Sequence, residues 1–313
     1  MVVLYGRIVC VLSIGLFLES VWTKVHQAEG NMRTPMIAQI IGAIVNIALD
    51  PLLIFGLCGL PKMGIGGAAT ATVVGQIAAA LIVMKGGFRK IPALVVFPHQ
   101  IKRIYKLGIP NILMQAAYTF YIVGLNLILA TFSDQAVTVL GLYYKWQAFF
   151  FIPLGAMQTC IVPVVSYNYA AGKYERCKKT LMVAIIFGIA LMMIGVVLFE
   201  TIPGPMLHVF SHDPKVISIG EVAFRFIGIS FIPLVSSLTF PVFFQALGHA
   251  VKSSILTIIR TVFLFIPLAY LFSRFGLNYF WLTFPVTDSI TTLAGYLFYR
   301  QFVKKTMPKT IME

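Results

Sequence analysis

Asn46 and Asp50 stand four residues apart in an otherwise apolar run, NIALDP, and Thr72 lies in the apolar run that follows. Side chains four apart share one face of a helix, so an amide and a carboxylate present oxygen to the same place. The carboxylate supplies a charged oxygen for Na+ or a titratable site for H+; Asn and Thr add neutral oxygens, and Pro51 frees backbone carbonyls beside them. An aspartate at membrane depth costs about 2.5–3.5 kcal/mol on insertion scales unless it lines a cavity or finds a partner. Cation binding is one reading of Asp50, and bracing the helix end near the outer surface is the other. Further charges fall inside apolar runs at Glu19, Lys145, Arg260 and Asp288. Intramembrane charges commonly pair, so Lys145 and Arg260 are expected to balance Asp288, as bracing or in substrate and proton handling. Glu19, one turn from the end of its run, is expected to reach interfacial water. Tyr118, Tyr121, Trp146 and Phe149 offer aromatic faces, either for cation–π contact with an organic cation or for packing and lipid contact.

What must position these residues follows from composition. The 313 residues are 59% hydrophobic and only 11% charged, with a mean hydropathy of +0.92. Soluble domains need roughly 25% charged residues, which excludes a cytosolic enzyme, a nucleic-acid reader or a secreted disulfide scaffold. Cys10, Cys58, Cys160 and Cys177 are scattered without a Cys-x-x-Cys pair and read as packing residues rather than a metal or redox motif.

A membrane-crossing helix needs about 20 predominantly apolar residues. Nine stretches qualify, at 2–22, 35–56, 66–84, 109–132, 136–167, 180–201, 217–246, 254–273 and 278–300. The fold class is therefore all-α and polytopic. Pro153, Pro163, Pro233 and Pro241 favour bends in the two longest runs. Alternating the loops between sides puts seventeen Lys and Arg on one face against three on the other. The positive-inside rule makes the richer face, with the carboxyl terminus, cytoplasmic. Before the first span there is no basic segment and no small-x-small cleavage site, so it does not read as a signal peptide.

The string Gln27-Ala28-Glu29-Gly30 returns as Gln245-Ala246-Leu247-Gly248, each time followed by a polar turn and two further spans. Two transporter halves related by an axis along the membrane normal would show this pattern. In the second half three spans precede the helix that ends at Gln245 and in the first half none precede the helix that ends at Gln27, so the chain reads as a twelve-helix protein lacking three helices at its start. Residues 1–85 are then the remainder of an amino-terminal lobe, 86–108 a cytoplasmic linker with a short amphipathic segment, and 109–313 a carboxyl-terminal lobe.

Apparent enzyme motifs fail on context. Gly64-x-Gly66 lacks the preceding strand of a dinucleotide loop, and Gly67, Ala71 and Gly75 at four-residue spacing read as a helix-packing face. His208 and Asp213 have acyltransferase spacing without other catalytic residues. No Walker loop is present, so neither an enzyme nor direct ATP drive is expected.

The runs GNMRTPMIAQIIGAIVNIALDPLLIFG (30–56), GIGGAATATVVGQ (64–76) and LGLYYKWQAFFFIPLGAMQTCIVPVVSYNYAAG (140–172) resemble the multidrug and toxic compound extrusion (MATE) family, across its fourth to twelfth helices. The resemblance implies two six-helix lobes in a V and secondary efflux of organic, often cationic, compounds against inward Na+ or H+. One branch of that family holds its cation with an Asp on the first helix, an Asn and an Asp four apart on the fifth, and a Thr on the sixth. Asn46, Asp50 and Thr72 match the last three, which makes them the expected cation-coupling set and a Na+ site. The first-helix Asp has no counterpart. A second branch places an acidic residue eight positions after the proline of Gly-x-Pro on the seventh helix. Counting from Pro110 gives Tyr118, with Gln115 the nearest polar side chain, so the sequence departs from that pattern.

The expected function is antiport of organic, cationic drugs or metabolites in a plasma (inner) membrane, with no resident cofactor, Na+ or H+ as coupling ion, and membrane lipid around it. Neither a nucleic-acid nor an obligate protein partner is expected. Gln115, Tyr118, Tyr121, Lys145, Trp146, Arg260 and Asp288 are the candidate cavity or charge network. A lipid-linked oligosaccharide flippase of the same superfamily and a non-transporting remnant are the alternatives.

Overall fold

The computed structural model describes residues 2–59, 61–89 and 97–306. It divides into two compact units, Met1–Phe97 and Pro98–Glu313. Among the described residues all regular structure is helical.

The first unit contains α1 (Val2–Val11), α2 (Ile14–Ala28), α3 (Arg33–Phe55) and α4 (Ile65–Met84). The span expected over 2–22 is broken at Leu12 and Ser13, where α1 and α2 bend by 48°. The Ser13 hydroxyl donates to the Cys10 carbonyl at 2.8 Å, the local bonding that competes with a helical ladder. Small residues set the packing of α3 on α4. A Cβ on Gly67 would lie 2.5 Å from the Leu53 carbonyl oxygen, and one on Gly75 would lie 2.7 Å from that of Gly42. The four-residue stripe on α4 is thus a helix-packing face, as its spacing predicts. On α2, buried His26 reaches the Val83 carbonyl through Nε2 at 3.0 Å, while Glu29 pairs with Arg89 at the surface.

The second unit runs through α5 (Phe97–Ala130), α6 (Asp134–Ala170), α7 (Tyr174–Thr201), α8 (Pro203–His208), α9 (Pro214–Ala246), α10 (Ala250–Ile258), a π-helical stretch (Ile259–Phe265), α11 (Ile266–Ser273), α12 (Leu277–Phe280) and α13 (Thr283–Thr306). Its core is aromatic: Phe199 stacks on Phe224 at 4.6 Å and packs against Phe231 at 5.0 Å. Both α6 and α9 are assigned as unbroken helices through their prolines. Asp213 caps α9 by accepting from the Lys215 amide at 2.9 Å, so this carboxylate has a structural task that the acyltransferase spacing did not reveal.

Other expectations are revised. The amphipathic linker segment is not a separate element, because residues from Phe97 onward form the first turns of α5; Lys90, Pro92 and the rest of 90–96 lie outside the described residues, as does Lys309. Among the described residues seven helices are long and apolar enough to cross a membrane, and the bent α1–α2 pair would make an eighth. The ninth expected span, α13, falls short because it carries a polar stripe. Thr283, Thr287, Asp288 and Thr291 are all buried, so the polarity that lowers its hydropathy faces protein. Of the cysteines, only Cys177 packs in a core; Cys10 and Cys160 are exposed, and the Cys58 side chain is outside the described set.

The repeated string also has a local cause. Gly30 and Gly248 both adopt φ of 78°. The Gly30 amide donates to the Gln27 carbonyl and the Asn31 amide to that of His26; Gly248 and His249 do the same toward Gln245 and Phe244. This is a left-handed helix stop, which glycine adopts without a Cβ penalty. Gly172 ends α6 in the same way, with bonds from Gly172 to Tyr169 and from Lys173 to Asn168. The helix stop explains the glycine at the end of each string.

The α3–α4 contact yields a direct test. Gly75→Leu should lower the thermal unfolding midpoint of the purified protein, since overpacking costs about 1–3 kcal/mol. Gly141→Ala, whose Cβ would meet nothing within 4 Å, should leave it unchanged or raise it.

Candidate functional site

Each unit contains a polar cluster. In the first, α2, α3 and α4 enclose a cleft of about 260 Å³ lined by Glu19, Gln39, Asn46, Thr72 and Gln76 among smaller residues. The close approach at Gly42 and Gly75 brings Asn46 of α3 beside α4, where a Cβ on Gly75 would lie 3.1 Å from the Asn46 Cβ. Asn46 and Thr72 therefore share the cleft, as their expected common role requires. Asp50 lies one turn further along the same face of α3, beyond the lining residues.

The hydrogen bonding of this cleft is incomplete. Thr72 donates to the Ala68 carbonyl at 2.9 Å, leaving its oxygen free to accept. Asn46 Nδ2, Asp50 Oδ1 and Gln76 Oε1 are buried without a partner among the described residues. Turning the Asn46 amide over would present its oxygen in place of the nitrogen. A buried polar atom left unpaired costs about 1–3 kcal/mol, and three of them lie on α3 and α4, two acceptor oxygens and one amide that can be turned to present its oxygen.

Glu19 is the residue that hydropathy alone misplaces. It is 6% exposed and is turned into the protein rather than outward. Its Oε1 accepts from Thr23 at 2.9 Å and from Gln39 at 2.7 Å, and no basic side chain pairs with it among the described residues. The available signal was periodicity: Gly15, Glu19, Thr23 and His26 are the buried residues of α2, a polar stripe on one face of an apolar helix. An unpaired carboxylate in that stripe joins Asn46 and Thr72 at the cleft.

In the second unit Arg260 and Asp288 form a buried ion pair, with Nε 2.7 Å from Oδ1. Ser237 of α9 donates to the same oxygen at 2.9 Å. The second oxygen, Oδ2, and the Thr287 hydroxyl are buried without partners among the described residues. Arg260 sits in the π-helical stretch, a local widening that often accompanies functional positions. Its guanidinium lies 5.0 Å from the Phe265 ring centre. Tyr121 stacks on Phe265 at 5.0 Å, and Tyr118 meets Tyr121 edge-on at 6.1 Å. The two tyrosines expected in a cavity wall thus join the Arg260–Asp288 cluster.

Three other expected members do not. Lys145 is exposed and lies over the Phe210 ring at 4.7 Å, so Arg260 alone balances Asp288. Trp146 donates from Nε1 to the Met206 carbonyl at 3.1 Å and packs edge-on to Phe210. Lys145, two residues after Tyr143, is turned away from the buried face of α6 that carries Tyr143 and Phe150, whereas Trp146, three residues after Tyr143, packs against that core with its indole N–H engaged by Met206 rather than by the Arg260–Asp288 cluster. Gln115 is exposed and lines a separate shallow cleft with Asn111, Ile112 and Thr119. Phe149 is also exposed.

Long apolar helices holding buried charge define a polytopic helical membrane protein. The MatE family profile matches residues 110–271, and the chain belongs to that family. It is 25% identical over 289 residues to an FAD transporter of Shewanella oneidensis, covering 90% of this chain and 64% of that one. It is also 25% identical over 279 residues to the multidrug export protein MepA of Staphylococcus aureus, covering 87% and 60% respectively. The chain thus spans less than two thirds of the length of these relatives. An outward-facing multidrug resistance MATE transporter superposes with a TM-score of 0.88 at 21% identity, over 98% of this chain and 70% of that one.

The Arg260–Asp288 pair should reveal itself in a mutant cycle. Removing one member of a buried pair costs about 3–5 kcal/mol, whereas replacing both with apolar residues is often neutral. Arg260→Met and Asp288→Leu should each lower the thermal midpoint more than the double variant does.

Proposed function

We propose that the protein bearing this chain exports organic, predominantly cationic compounds across a plasma (inner) membrane in exchange for Na+, with the carboxyl terminus cytoplasmic. The observation that carries this reading is the cleft in the first unit, where unpaired buried polar atoms converge with one unpaired carboxylate. Carboxylate, amide and hydroxyl oxygens suit a hard cation. A proton would need only one of these carboxylates, so the number of donors favours Na+.

Coupling follows from differential affinity. An occupant that stabilises the closed approach of α2, α3 and α4 shifts the equilibrium toward the conformation in which those oxygens converge. Asp50 carries its charge one turn along α3 beyond the cleft lining, and Glu19 holds a second carboxylate within it, oriented by Thr23 and Gln39. Names among the relatives support export of small molecules, and neither relative cited above is named for a lipid-linked sugar. Tyr118, Tyr121 and Phe265 supply aromatic faces for an organic cation. A flavin nucleotide is the second cargo reading, favoured by Arg260, which engages Asp288 through Nε alone.

Efflux from proteoliposomes with an imposed Na+ gradient checks the coupling set. Asp50→Asn is expected to abolish gradient-driven efflux of a cationic dye while leaving membrane insertion intact. Asn46→Ala and Thr72→Ala should weaken coupling less, each removing a neutral oxygen, and Glu19→Gln should fall between these cases. Normal coupled efflux by Asp50→Asn would reduce Asp50 to a brace.

A further inference from the structure

The flank of the α6–α7 hairpin carries a groove of about 360 Å³ that neither polar cluster uses. Met157, Cys160 and Val164 line it from α6, and Lys179, Val183 and Phe187 from α7. On each helix the three follow a near-helical repeat, so the groove runs along the hairpin axis. Lys179 to Phe187 is about 12 Å at 1.5 Å per residue, most of one leaflet of a hydrocarbon core about 30 Å thick.

Its two ends differ chemically. Val164, Val183 and Phe187 are 45%, 64% and 59% exposed, and the wall is apolar from Phe187 up to Thr180, whose hydroxyl is spent on the Arg176 carbonyl at 2.8 Å. Lys179 closes the other end. It is exposed, and among the described residues no carboxylate forms an ion pair with it. Lys173, Arg176 and Lys178 surround the same turn, with Glu175 the one acid among them.

We infer that this groove binds an anionic phospholipid, with an acyl chain against Val164, Val183 and Phe187 and the phosphate at Lys179. Charge complementarity selects this occupant. Basic pockets between membrane helices recognise anionic headgroups, and a lysine stem lies along apolar surface while its ammonium reaches the headgroup layer. A zwitterionic lipid brings a compensating positive charge to the same ammonium. A second helix would cover the apolar wall and leave Lys179 without a counter-charge. The inference uses no residue of the transport reading and stands independently of it.

Native mass spectrometry of the purified protein with added phosphatidylglycerol or phosphatidylcholine tests it. The wild type should retain phosphatidylglycerol at least fivefold more than phosphatidylcholine at equal concentration. Lys179→Gln should remove most of that preference. Val183→Trp, which fills an exposed part of the groove without altering charge, should also lose the retained lipid; Lys62→Gln, in the other unit, should behave as wild type. Millimolar inorganic phosphate should not displace the lipid, because a free phosphate cannot use the apolar wall. Equal retention of the two lipids would overturn the proposal. So would wild-type retention in either Lys179→Gln or Val183→Trp, or complete displacement by inorganic phosphate.

Discussion

Hydrocarbon offers neither donors nor acceptors, so every polar group carried into a membrane must be matched within the protein or by something it carries. Both clusters keep buried atoms without partners among the described residues, Asp288 Oδ2 and the Thr287 hydroxyl in the second as well as Asn46 Nδ2, Asp50 Oδ1 and Gln76 Oε1 in the first, and the clusters differ in charge balance. Asp288 is met by Arg260 at 2.7 Å and by Ser237 at 2.9 Å, which makes that centre close to neutral. Glu19 receives hydrogen bonds but no positive partner, and the neighbouring Asn46, Asp50 and Gln76 each have an unmatched buried atom. A neutral centre can stay fixed, whereas one with unbalanced charge gains from an added cation. The proposed placing of ion coupling in the first unit and cargo contact in the second rests on this difference in charge balance.

Much of this was legible in the amino-acid sequence. Asn46 and Asp50 stand out because polar residues are expensive in an apolar run, and their spacing fixes their common face. The pairing of Arg260 with Asp288 follows from the same cost. The glycine stripe on α4 was readable because only small residues allow backbones to approach so closely. Glu19 was not, because hydropathy along the chain reports how near a residue lies to the end of a span but not which way its helix face points. The direction came from the α2 stripe of Gly15, Glu19, Thr23 and His26.

Two other features have equally physical origins. A polar stripe lowers the hydropathy of α13 even though Thr283, Thr287, Asp288 and Thr291 are buried, so a composition test passes over a helix that the apolar run at 278–300 already marked. The similar strings around Gly30 and Gly248 share a left-handed glycine stop that also ends α6 at Gly172, so the glycine within the repeat has a local requirement of its own. Lys145 and Trp146 illustrate a third limit. Both sit in the middle of α6, but Lys145, two residues from Tyr143, falls on the other side of the helix, while Trp146, three residues from Tyr143, packs on the core with its N–H spent on the Met206 carbonyl.

The central claim is that the first-unit cleft holds a cation, and the most direct check is the thermal unfolding midpoint of the purified protein titrated with NaCl against choline chloride at equal ionic strength. Ligand that binds only the folded state stabilises it by RT ln(1 + L/Kd) at free ligand concentration L, which continues to rise as L rises. The account predicts a concentration-dependent rise specific to Na+ that Asp50→Asn abolishes and Arg260→Met retains. A wild-type midpoint that responds identically to Na+ and choline would contradict it.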